Sequence, residues 1–100
     1  MHPNLYDYTV PQSGEEFTSL LEYKKIKIVR IVSSAEVEPI EYIQEEDEWV
    51  LVIRGEAVLV LDQKEIILKE GDHLFIPSKT PHRVLKTKNG TLWLALHLYR

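Results

Sequence analysis

The chain has 100 residues, 44% of them hydrophobic, and a formal charge of −4 from 12 Lys and Arg against 16 Asp and Glu. That is one domain's worth of chain, apolar enough to build a core, which excludes a disordered polymer. There are no cysteines, which excludes disulfides, thiolate metal sites and thiol catalysis, and no basic excess of the kind that marks a nucleic-acid binder.

The opening MHPNLYDYTV has neither a basic n-region nor an apolar h-region, so it does not read as a secretory signal. No apolar run approaches the roughly 18 residues of a membrane span. A cytoplasmic protein without membrane or nucleic-acid partners is the expectation. Pro3 and Pro11 make the first dozen residues an extended arm. Ser13-Gly14-Glu15-Glu16 then reads as a capping box, with Phe17, Leu20 and Leu21 at helical spacing behind it. The expectation for residues 1–24 is therefore an arm and one short helix, followed by a β-barrel over 25–100, all within a single domain.

From Lys25 onward the pattern is one of short β-type runs separated by turn signals. Lys25–Val32 is rich in Ile and Val, and Val37–Gln44 is interrupted by Pro39. Trp49–Ile53 is continuously apolar, as a strand covered on both faces would be. Gly55, Asp62-Gln63-Lys64 and Glu70-Gly71-Asp72 separate the next runs, 57–61, 66–68 and 74–76. Pro77–Pro81 makes a loop before 83–86, and Asn89-Gly90 is a hairpin signal leading into Thr91–Tyr99. About eight or nine short strands at this spacing predict an all-β sandwich or closed barrel.

Two stretches carry a family pattern. In the first, Glu48 and Gly55 stand at the spacing of a motif that begins His-x-His, with Tyr42 and Gln44 at its two histidine positions. In the second, GDHLFIPSKTPHRV, Gly71, Pro77 and His82 fall in register, and Lys79 replaces a second glycine. With 15 residues between Gly55 and Gly71, the chain resembles the small single-domain bacterial cupins. That resemblance implies a jelly-roll-like β-barrel holding a divalent transition metal (Fe, Mn, Ni or Zn) that would serve Lewis-acid or oxygen chemistry on a small polar molecule. It implies Glu48 and His82 as metal ligands, with Gln44 offering an amide oxygen in place of an imidazole, and Lys86 where Asn is frequent. It also implies a homodimer in which N-terminal segments exchange, with Ile26, Ile28 and Ile31 available for pairing.

The residues themselves support part of this. Strand alternation places Glu48 beside Val50 and Val52 on one buried face, and a carboxylate there needs a cation or donors. Glu45, Glu46 and Asp47 read as a solvated loop. His82 is either a ligand, an acid/base, or a histidine packed against a carboxylate. Tyr42 and Gln44 line a pocket or satisfy one another. His97 shares a face with Trp93, Ala95 and Tyr99, opposite Leu92, Leu94, Leu96 and Leu98; since both faces are apolar, alternation leaves open which one is internal. If Trp93 faces inward, His97 joins the pocket as an additional imidazole. His2 and His73 have no partner spacing. Lys79 and Arg83 flank the loop before His82, where they would attract an anion or simply be surface charges. The rival functions are a metal-free ligand-binding or sensing module, and a structural dimer whose barrel is filled by its own side chains.

Overall fold

The structure is a computed structural model that describes residues 2–100. Eight strands follow in order: β1 (Glu15–Tyr23), β2 (Ile26–Ser33), β3 (Asp47–Arg54), β4 (Glu56–Leu61), β5 (Lys64–Lys69), β6 (His73–Ile76), β7 (His82–Thr87) and β8 (Thr91–Leu98). All pairings are antiparallel. One sheet has the order β1-β2-β8-β3-β6 and the other β5-β4-β7. No helix among the described residues is long and apolar enough to cross a membrane.

The expected helix is absent: residues 15–23 form β1 instead. Without β1, one whole edge of β2 would present unpaired backbone groups. The segment pairs from Glu15↔Ser33 to Tyr23↔Ile26, and that ladder outweighs a marginal local helix of barely two turns. Gly14 is not inside a capping box. At φ +70° it turns the chain, its N–H donating to the Glu36 carbonyl and its own carbonyl accepting from Ser34 N–H. A register shift between Ser19 and Leu21 lets both ends of β1 stay paired. The sheet thus begins at Glu15 rather than Lys25.

Two further expectations change. Val37–Gln44 is not a strand; apart from an isolated bridge from Tyr42 to His82 it is irregular, as Pro39 cannot donate to a ladder. Ile26, Ile28 and Ile31 are not free for pairing with a second copy, because β2 is flanked by both β1 and β8. On that side of the sheet the edge strand is β1, and β6 is the edge at the other end.

The core lies between the sheets. Val29, Ile31, Val50, Val52, Trp93 and Ala95 face Ala57, Leu59 and Leu68. Their neighbours in register on β2, β8 and β3 (Val29↔Ala95↔Val50, Ile31↔Trp93↔Val52) form continuous rows. Trp93 buries its ring and donates Nε1–H to Ser33 Oγ at 2.9 Å, satisfying the one polar atom of that ring. The four leucines of β8 consequently face outward. On that side the N-terminal arm is held by buried Arg30, whose Nη1 donates to the Leu5 and Asp7 carbonyls at 3.2 Å each. Tyr8 lies over the same guanidinium, and Tyr6 over that of Arg54.

Gly55 and Gly71 both have positive φ, at +93° and +85°. A Cβ on Gly55 would lie 2.8 Å from the Thr91 Cα, whereas one on Gly71 would meet open space. Only at Gly55 does close approach of two strands require glycine as well as the turn.

Candidate functional site

Glu48 is the second residue of β3 and shares the inward face with Val50 and Val52, as alternation requires. It is 7% exposed, opposite His97 on β8 and Ile76 on β6. His82 opens β7 in the other sheet and is 8% exposed. Tyr42 and His82 exchange backbone hydrogen bonds of 2.8 and 3.0 Å, and Lys79 N–H donates to the Gln44 carbonyl at 2.7 Å. These contacts zip residues 42–44 onto the loop before β7. They bring Gln44 beside Glu48 and put the Tyr42 ring 6.1 Å from that of His82.

The side chains converge on one carboxylate. His82 Nε2 stands 3.8 Å from Glu48 Oε1, and His97 Nε2 stands 3.8 Å from Oε2. Gln44 Nε2 donates to Oε1 at 2.7 Å. The far nitrogens of both rings are also fixed. His82 Nδ1 lies 3.0 Å from the Thr80 carbonyl, which can only accept, so Nδ1 carries a proton. His97 Nδ1 lies 2.9 Å from Glu46 Oε2. Both Nε2 atoms therefore face the inner carboxylate.

A cavity of about 470 Å³ opens beside this group. Ser19, Lys27, Tyr42, Gln44, Glu48 and His97 contribute its polar groups, and Phe17, Val29 and Ile31 its apolar wall. His82 does not line it and joins the cluster through Glu48. The barrel is thus not filled by its own side chains, and its volume is in the range of small-molecule sites. Trp93 faces inward, so His97 does as well.

The acidic run divides three ways. Glu45 is solvated, pairing at the surface with Lys79. Asp47 accepts the Ser78 N–H at 2.8 Å and pins the loop before β7. Glu46 is not solvated: its side chain is 14% exposed, against 18% for His97. Sequence reasoning missed it, although it stands two residues before Glu48, the spacing that puts side chains on one face. Lys27 and Phe17 were missed as pocket residues because their strand pairing with His97 and Ile31 follows from the position of β1 and β2. His73 packs against Trp49, with ring centroids 5.5 Å apart. Arg83 pairs with Val60 within the smaller sheet.

Two antiparallel sheets around a cavity, with an acid opening one strand and an imidazole opening a strand of the other sheet, define a cupin-type barrel. The chain belongs to the cupin family: the cupin domain matches over residues 28–97. A crystal structure of a Ralstonia eutropha JMP134 protein, provisionally named a mannose-6-phosphate isomerase, is similar at 36% identity and a TM-score of 0.86, covering 100% of this chain and 99% of that one. A cupin superfamily protein from Desulfitobacterium hafniense shares 21% identity with a TM-score of 0.84, over 99% of this chain and 90% of that one. A conserved protein of unknown function from Streptococcus pyogenes superposes at 17% identity and 0.85, over 100% and 88%. The last two likenesses concern the fold alone. No functionally curated protein matches the chain.

Whether the donors fit a metal can be judged from their chemistry. Among the described residues, no three His, Asp or Glu side chains are drawn together tightly enough to enclose an ion as they stand. Yet two donors that each lie about 2.1 Å from a metal are at most about 4.2 Å apart, and both 3.8 Å separations fall inside that limit. Two imidazoles with anchored Nδ1 atoms and one buried carboxylate are a suitable set for a divalent transition metal.

Proposed function

We propose that this cupin binds a small polar molecule at a divalent-metal site made by Glu48, His82 and Gln44, with His97 as the second imidazole and Tyr42 at the pocket wall. The observation that carries the reading is the meeting of lone pairs around Glu48. A neutral His82 with its proton on Nδ1 turns an acceptor nitrogen toward an acceptor oxygen. Two facing acceptors are unfavourable unless something that both can bind lies between them, and a metal ion is such a group. When bound, the metal would supply Lewis-acid polarisation of a ligand oxygen. Gln44 would turn its amide over to present its oxygen, and the apolar wall would exclude water from one side of the ligand.

Metal analysis of untagged protein after exposure to Fe²⁺, Mn²⁺, Ni²⁺ and Zn²⁺ tests this. Stoichiometric uptake by the parent chain that is lost in Glu48→Gln is the expected result; no uptake of any of the four refutes the metal. The name of the Ralstonia protein makes phosphorylated sugars reasonable first molecules to try, with Lys27 as the cation lining the cavity.

A second reading has its own support. The Gln44–Glu48 hydrogen bond already satisfies one carboxylate oxygen without a metal. In that case the chain is a metal-free ligand-binding or sensing module, and Glu48→Gln alters ligand affinity with no change in metal content.

We also infer that two copies associate. Of the two edges of the larger sheet, β6 is four residues long and β1 nine, and on β1 Phe17, Leu20, Leu21 and Tyr23 are all exposed. Unpaired apolar edges of this kind favour pairing. Light scattering at micromolar concentration should give twice the mass of the chain; a monomer rejects the inference.

A further inference from the structure

The geometry points to Glu46 as the positioning residue for His97, the means by which this chain supplies from β8 an imidazole that the family pattern places at residues 42 and 44. The inference rests on the proposed role of the Glu48 cluster, but its first step is independent of any metal.

A carboxylate only accepts hydrogen bonds. At 2.9 Å from Glu46 Oε2, His97 Nδ1 must therefore carry a proton, and in the neutral ring the lone pair is confined to Nε2. That atom is the one directed at Glu48 Oε2. Without Glu46, no other hydrogen-bond partner among the described residues holds His97 Nδ1, and the ring would be free to put its proton on Nε2, where it would face Glu48 as a donor and lose its capacity to ligate. A hydrogen bond of this type on the far ring nitrogen fixes tautomer and orientation and raises ligand basicity.

Tyr99 is a neighbour of both members of the Glu46–His97 pair. It is close enough for the Glu46 carboxylate to help raise its phenol pKa, after burial as the larger cause, and it stacks on the His97 ring, with centroids 6.4 Å apart and planes 26° from parallel. Tyr99 thus covers the dyad from the solvent side, while Glu48 lies on the inner side. The opposite end of the cluster has the same logic with a different part: at His82 the Thr80 carbonyl performs the tautomer-fixing role. The two rings around Glu48 are oriented by separate acceptors, one from backbone and one from a side chain, and only the second can be removed by substitution.

The experiment is to read the protonation of His97 by ¹⁵N correlation NMR on metal-free protein at about pH 8.5, above the ordinary imidazole range, and to titrate the same samples with Mn²⁺ or Ni²⁺. The parent chain should show the Nδ1–H form. Glu46→Ala should shift His97 toward Nε2–H and weaken metal binding about 10–100-fold, the usual cost of losing an outer-shell partner. Glu46→Gln, whose amide oxygen still accepts, should keep the Nδ1–H form, and Tyr99→Phe should leave the tautomer unchanged. Finding Nε2–H in the parent chain overturns the inference even if Glu46→Ala does not fold. So does a folded Glu46→Ala that retains Nδ1–H, or one that changes tautomer with metal affinity intact. If the parent chain takes up no metal, the metal reading fails while the tautomer of His97 still decides the role of Glu46.

Discussion

Glu48 and His97 face each other across the β3–β8 ladder, with Oε2 and Nε2 3.8 Å apart inside the larger sheet. Cross-strand neighbours are held in register by the backbone on either side, so this pair is pre-positioned by secondary structure rather than by a loop. His82 reaches the same carboxylate from the smaller sheet. The cluster therefore has two members on one rigid element and one across the gap between sheets.

Replacing Glu48 with Gln should weaken divalent-metal binding by more than the roughly 10–100-fold that outer-shell changes cost. Calorimetric titration checks this.

Stability should depend on pH through Glu15. Burial pushes its carboxyl above the usual value of 4.5, opposed by the hydrogen bond from Ser33. The folded state thus binds this proton more tightly than the unfolded chain. Its stabilising contribution is complete below about pH 4.5 and disappears as pH rises through the folded-state value. Glu15→Gln, which can still accept from Ser33, should melt higher than the parent at about pH 8, with the gap closing by about pH 4. Thermal melts across that range test the sign; a gap that widens toward acid refutes it.

The two glycines should respond differently to alanine. Gly71→Ala adds only an unfavourable φ, costing about 1–2 kcal/mol. Gly55→Ala adds to this a clash with the Thr91 backbone, for a total of at least about 3 kcal/mol. At about 4–8 °C per kcal/mol for a domain of this size, the two variants should be clearly separated by calorimetry.

Removing the guanidinium of Arg30 should release the arm before it unfolds the barrel. Arg30→Met keeps the stem and loses the two bonds to the Leu5 and Asp7 carbonyls. The expected cost is about 1–3 kcal/mol, with cleavage near residues 4–8 in limited proteolysis while the remaining chain stays resistant. Unchanged resistance of the arm would show that Arg30 does not hold it.

Much of the fold was legible in the sequence, for a definite physical reason. From Gly55 to Gly90, turn residues with fixed backbone demands punctuate apolar runs, and β4 to β8 follow them within a few residues. β1 was not legible, since Phe17, Leu20 and Leu21 satisfy a helical spacing and its strand state comes from the open edge of β2, a tertiary fact. In the site, the inward direction of Glu48 followed from alternation with Val50 and Val52. The direction of His97 could not, because the arm covers the outer face of β8 and makes both faces apolar. Glu46 was hidden for a simpler reason: in an acidic run, charge alone does not tell which carboxylate is turned inward.

The cluster spans the two leaves of the barrel, since Glu48 and His97 belong to one sheet and His82 to the other. Anything that fills the space between them acts as a clasp. Occupancy should thus be felt mechanically: amide exchange at the first residues of β3 and β7 should slow together, and separation of the leaves at that end should become the late step in unfolding.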